Sequence, residues 1–213
     1  MKPYNYILLD WDGNLARTLQ IWLDSTILVL KRHNFKHSNQ EVINGISDLH
    51  IFFTRLGIKN VQELVDEIKL EVEMLLPRVE LYPDALYVLE TLHSRGKRLA
   101  LITSSHRHLV VPPLKRFHLT DLFEVIITRD DVKKVKPNPE AINKALKELV
   151  APKDQTVMIG DGATDLGAAQ NSGIDSILFY SQEHEIFYDI GKLKSYNPTY
   201  IVSDFRHILD IIG

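Results

Sequence analysis

From Tyr82 to the end of the chain, short aliphatic runs alternate with segments of helical spacing, and this alternation leaves few folds open. The runs are RLALIT (98–103), EVIIT (124–128), TVMIG (156–160), SILFY (176–180) and the TYIV near the C-terminus. Their length and composition mark them as strands. Helices are expected between them: one opened by Pro83, running through Ser94 and ended by Gly96; one from about His106 to Phe117; one from about Pro139 to Leu149; one from about Thr164 to Ser172, closed by Gly173; and a last one in DFRHILDII. Strands that take turns with helices pair in parallel, so the expected fold class is α/β with a doubly wound parallel sheet.

One more strand, residues 5–10, lies far from this series. About sixty residues of helical periodicity separate it from the rest. Leu15, Leu19, Trp22, Thr26 and Leu30 form one stripe, Val42, Ile46, Leu49, Phe53 and Leu56 a second, and Val61, Leu64, Ile68, Val72 and Leu75 a third. Three amphipathic helices can bury such stripes against one another. The expected organisation is therefore a core of residues 1–13 and 80–213, into which a helical domain of residues 14–79 is inserted, with the first strand returning to the centre of the sheet.

The chain has 213 residues, 45% of them hydrophobic, and a formal charge of −3. Its basic residues are scattered, with no stripe suited to a phosphate backbone, so no nucleic-acid partner is expected. No apolar run reaches membrane-spanning length and the first ten residues are too short an apolar stretch for a signal peptide, which points to a cytoplasmic protein with no membrane partner. The sequence contains no cysteine. Any metal must then be held by oxygen or imidazole, which favours a hard cation.

The strand YILLD runs directly into Asp10 and Asp12, followed by Gly13. Residues two apart on a strand face the same way, and two carboxylates side by side require a proton or a cation. In an open α/β sheet, ligands bind beyond the carboxyl ends of the strands. Three other polar clusters are expected at that edge: Thr103-Ser104-Ser105 after RLALI, Lys136-Pro137 after EVIIT, and GDGATD, with Asp161 and Asp165, after TVMIG. Alone, each has an ordinary explanation as a turn, a helix cap or a solvated lysine. Their coincidence at one edge is what carries the chemistry.

In order, DWDG, Thr103, the lysine of KPNP and GDGATD resemble the four motifs of the haloacid dehalogenase superfamily, and the resemblance spans the whole chain, including a helical cap inserted after the first strand. It implies a phosphohydrolase. Asp10 would be the nucleophile, Asp12 the acid and base, and Thr103, Ser104 and Lys136 the phosphate-binding groups. Magnesium would be the cofactor, held by Asp10, the Asp12 backbone carbonyl and Asp161, with Asp165 positioning a metal water or Lys136. The expected partner is a small-molecule phosphate ester, and the expected state a monomer or weak homodimer.

The sequence departs from the family pattern at Asn14, where a threonine is usual, and at Arg17-Thr18, where one branch carries Asp-Ser. Arg17 is a candidate specificity residue, with a surface role as its plain alternative. Asp12 counts against dehalogenation, because expelling halide needs no proton. A β-phosphoglucomutase-like mutase is the nearest rival; Asp48 and Trp22 stand at the approximate places of its usual basic residue and histidine, which favours hydrolysis. A receiver-like phospho-accepting module, the rival from a different class, needs neither a helical insert nor a late GDxxxD. His33, His37 and His50 do not share one helix face and are expected to be solvated; His50 and Arg55 are further cap candidates.

Overall fold

A computed structural model describes residues 2–213, apart from the side chain of Ser47. The elements in chain order are β1 (Tyr6–Leu9), α1 (Leu19–Arg32), α2 (Asn39–Gly45), α3 (Leu49–Arg55), α4 (Val61–Leu75), α5 (Ala85–Ser94), β2 (Arg98–Ile102), α6 (Arg107–Arg116), β3 (Phe123–Ile127), α7 (Glu140–Glu148), β4 (Thr156–Gly160), α8 (Ala163–Ser172), β5 (Asp175–Phe179), α9 (Ile190–Lys194), β6 (Tyr200–Val202) and α10 (Arg206–Ile212). They form two compact units, residues 1–16 with 80–213, and residues 17–79.

In the larger unit all strands are parallel, in the order β3-β2-β1-β4-β5-β6. β1 is central, with Leu8 level with Ala100 on one side and Met158 on the other. The chain winds outward from β1 through β2 to β3, then returns to β1's other side as β4. That reversal opens a crevice beyond the ends of β1 and β4, the usual ligand position in such sheets. Ile7, Leu8 and Leu9 are all fully buried although consecutive strand residues face opposite ways, so both faces of the sheet are covered. On one face Leu8, Ile102, Ile127 and Met158 pack with Ile142 and Ala145 of α7 and with Ala168 and Ala169 of α8.

Within the smaller unit, Leu23, Val29 and Leu30 of α1 and Leu64, Ile68 and Val72 of α4 are buried. The sequence-based division into three helices needs two corrections. Leu15 lies in a turn of the core unit, before α1. The second stripe is broken into α2 and α3 by a short 3-10 turn at Ile46–Asp48, because Asp48 caps a new helix through the Ile51 N–H at 3.0 Å. Gly45 is needed at the break: a Cβ there would stand 2.2 Å from Cγ of Phe52.

Two further differences lie in the core. α5 starts at Ala85, two residues after Pro83, because Asp84 is left-handed, with φ of 61°. The segment between β5 and β6 carries a 3-10 helix at Gln182–Ile186 and α9, neither of which was expected. Their apolar residues are too few to register as helical periodicity.

Candidate active site

The nucleophile candidate, Asp10, is the first residue beyond β1, and its N–H still bonds the Ile159 carbonyl of β4 at 3.0 Å. The chain then turns sharply: the amides of Leu15 and Ala16 both bond the Trp11 carbonyl, and Gly13 adopts φ of 75°. Such a φ favours glycine. Asn14 is fully buried in this turn and donates from Nδ2 to the Asp10 carbonyl at 3.1 Å, so the residue in place of the usual threonine braces the loop from inside.

On the neighbouring strand, β4 ends at Gly160 and Asp161 follows. Gly160 admits Asp165 from the first turn of α8, since a Cβ at Gly160 would lie 2.4 Å from the Asp165 side chain. Asp165 Oδ2 accepts the Gly162 N–H at 3.1 Å. Its Oδ1 meets Lys136 Nζ at 2.5 Å, while the same ammonium stands 2.6 Å from Asp10 Oδ1 and donates to the Ile102 carbonyl at 2.9 Å. The loop delivering Lys136 continues through a cis Lys136–Pro137 bond, and Pro137 packs against Gly167 of α8.

Asp10, Asp161 and Asp165 are all buried and offer oxygens within 4.8 Å of one another. With Lys136 as the ammonium among them, three ionised carboxylates leave two negative charges uncompensated. Burial, and then Asp165, push the Asp10 carboxyl up to about 8, against the opposing pull of Lys136. Asp161 is pushed well above the carboxylate range by burial and then by Asp165 and Asp10. Burial alone would lower Lys136; the two carboxylates outweigh it and keep the ammonium charged. Oδ1 of Asp10 and Oδ2 of Asp161 are buried with no hydrogen bond of good geometry. The contact between Asp10 and Lys136 is therefore an ion pair at short range and not a well-directed hydrogen bond. A hard divalent cation fits both the residual charge and the buried Asp161 Oδ2, which has no hydrogen bond.

The carboxylate of Asp12 is outside this group. The sequence placed Asp10 and Asp12 side by side on a strand, but β1 ends at Leu9, and the turn aims the half-buried Asp12 at Ser105, whose Oγ donates to Oδ2 at 2.6 Å. Thr103 is buried at the end of β2, and its Oγ1 accepts the Ser105 N–H at 3.0 Å. Ser104 is half-buried between them. Arg17 belongs to the helical unit, half-buried just before α1. In that unit, His33 pairs with Glu67 at 2.7 Å, and His50 and Arg55 are exposed.

Sequence reasoning passed over Ser105 as a site residue, and also His184 and Tyr188. His184 is fully buried, with Nε2 2.7 Å from the Gly13 carbonyl and 3.8 Å from Asp161 Oδ2. Tyr188 is buried beside Asp161: burial, and then the nearby Asp161 charge, push its phenol well above the usual tyrosine range. No motif spacing marks either residue; only the path of the chain after β5 brings them here.

A family model described as haloacid dehalogenase-like hydrolase matches residues 7–179. Among curated proteins the chain is 30% identical to pyrophosphatase PpaX of Halalkalibacterium halodurans over 213 residues, 98% of this chain and 97% of that one. Among solved structures it resembles a haloacid dehalogenase-like hydrolase from Streptococcus pneumoniae, with a TM-score of 0.85, 20% identity and complete coverage of both chains. A hydrolase from Pseudomonas syringae matches with a TM-score of 0.82 and 23% identity over 98% of this chain and 97% of that one. At these identities the two structures bear on the fold alone.

Proposed function

The chain belongs to the haloacid dehalogenase-like hydrolases, and from that premise we propose that it is a magnesium-dependent phosphohydrolase that works through an aspartyl phosphate on Asp10. The observation that carries this reading is the buried cluster of Asp10, Asp161 and Asp165 around one shared ammonium, Lys136. A phosphoryl group is among the most resistant to uncatalysed displacement, and a site for it must neutralise its oxygens while presenting a nucleophile.

Asp10 and Asp161 would hold the magnesium ion, with Asp165 fixing Lys136, and the ion would supply charge neutralisation at the phosphoryl oxygens. Burial favours a proton on Asp10, so the nucleophile depends on Lys136 and a bound cation to stay ionised near neutral pH. An ionised Asp10 oxygen attacks phosphorus, and the bond from phosphorus to the leaving oxygen breaks. Asp12, free of the buried cluster and steered by Ser105, protonates that leaving oxygen. It then takes a proton from the water that opens the acyl phosphate and regenerates Asp10. Thr103 and Lys136 face the phosphoryl oxygens in this scheme, with Ser104 beside them.

The substrate favoured for testing is inorganic pyrophosphate, because the curated relative spanning nearly the whole chain is named a pyrophosphatase. A small phosphate monoester is the second reading, and the panel should include both. The helical unit brings no nucleophile of its own, and we assign substrate choice to it, with Arg17 as the residue to test: a guanidinium there suits a second anionic group. Phosphate release from pyrophosphate, from a set of phosphorylated metabolites and from an aryl phosphate, each with magnesium or chelator, is the decisive experiment. Activity surviving in excess chelator would overturn the metal role. If Arg17→Ala leaves the ratio of efficiencies for pyrophosphate and aryl phosphate unchanged, the specificity assignment fails.

A further inference from the structure

The segment after β5 contributes to the site although it carries none of the four motifs. His184 has no solvent exposure, and both its ring nitrogens are engaged. Nδ1 stands 3.0 Å from the backbone N–H of Ser181, which can only donate, so Nδ1 is the acceptor and the ring proton is on Nε2. From there it points at the Gly13 carbonyl, 2.7 Å away, which can only accept. The two contacts select one neutral tautomer.

The ring cannot turn to make other contacts. Tyr82 and Tyr188 stack on it with centroids at 5.4 and 6.0 Å and planes within 15°, and Phe179 meets it edge-on at 5.3 Å. Gly13 lies one residue beyond Asp12 and three beyond Asp10 and has the left-handed φ on which the turn depends. Nε2 of the same ring stands 3.8 Å from Asp161 Oδ2, so one short stretch of chain reaches both the Gly13 turn and Asp161.

We infer that His184 is a positioning residue: donating from Nε2–H to the Gly13 carbonyl, it locks the turn that sets where Asp12 stands relative to Asp10. Its effect on turnover rests on the phosphohydrolase reading above; its effect on the turn does not. Without this donor the Gly13 carbonyl loses its imidazole partner and the turn loses its link to the β5 side of the sheet.

The test compares His184→Gln with His184→Met in the full-length protein. The two side chains have nearly the same shape, but only glutamine can donate to the carbonyl. Hydrogen exchange over residues 11–16, measured without substrate, reads the turn directly, and steady-state kinetics with magnesium and aryl phosphate read the chemistry. The methionine variant should exchange faster across the turn and lose about 10- to 100-fold in kcat, the range seen when partners of ligating groups are removed, with little change in KM. The glutamine variant should recover most of both.

Equal behaviour of the two variants, or parental exchange in the methionine variant, would overturn the inference. Should the methionine variant not fold, nitrogen-15 NMR of the unmodified protein decides: His184 should carry its proton on Nε2 and show a coupling through the hydrogen bond to the Gly13 carbonyl. A proton on Nδ1, or an Nε2–H without that coupling, would be equally fatal. If the parent releases no phosphate from any substrate, the functional reading fails alone, and the exchange data still decide the role of His184.

Discussion

Replacing Lys136 by methionine removes one charge from between two buried carboxylates. The side chains are 2% and 10% exposed in the pair with Asp10, and 2% each in the pair with Asp165. Breaking a buried ion pair by deleting one partner costs about 3–5 kcal/mol, since the remaining charge is left in a poor medium. For a chain of this length that corresponds to a fall in Tm of about 6–20 °C.

The size of the loss depends on pH, and the sign follows from linkage. Asp10 already lies high, at about 8, and Lys136 is one of the influences lowering it, so the substitution lifts it further. The folded variant then holds protons that the unfolded chain releases near its ordinary carboxylate pKa, and its stability falls as pH rises from about 4 through the raised folded value. Asp10 keeps its proton in both proteins below about 8, so the deficit relative to the parent should be smaller near pH 5.5 and larger near pH 8.5, where only the parent has begun to ionise. Thermal melts of both proteins in chelator at the two pH values measure it, and the double variant Lys136→Met with Asp165→Asn should recover part of the loss at the higher pH. A deficit that is the same at both pH values, or a Tm within error of the parent at the higher one, would refute the charge argument and leave Lys136 as packing.

Asp10→Asn should abolish turnover with folding intact, whereas Asp12→Asn should lower it by about two to four powers of ten, the usual share of general acid and base catalysis; rapid-quench capture of phosphate on the protein separates the two. Magnesium at about 100 times its Kd should stabilise the folded protein by about 2.7 kcal/mol. The effect should weaken as pH falls through about 8, where a proton competes for Asp10, and identical melts in chelator and magnesium would exclude the site. In the helical unit, Gly45→Ala drives a methyl group to within 2.2 Å of Phe52. It should cost about 1–3 kcal/mol in urea denaturation, and an unchanged midpoint would show that α2 and α3 part easily.

Period and punctuation in the sequence determined the alternating core, the central place of the first strand and the insertion of helices after it. These signals are local: an apolar run's length and a helical stripe are properties of neighbouring residues. The carboxylates and Lys136 were legible for a related reason, since a parallel sheet sends every strand's end to one edge, whatever the packing. Tertiary structure alone decided which of those groups meet. Asp12, two residues after Asp10, stays out of the close carboxylate group and takes Ser105 as its partner, because the strand ends at Leu9. Asp10, Asp161 and Asp165 converge because β4 returns beside β1 and Gly160 makes room for α8. The break between α2 and α3 depends on a cap and a ring pressed against Gly45, and the place of His184 depends on a carbonyl 171 residues earlier. A lone histidine in an irregular segment has no period to announce it; its partner exists only once the sheet has closed the distance.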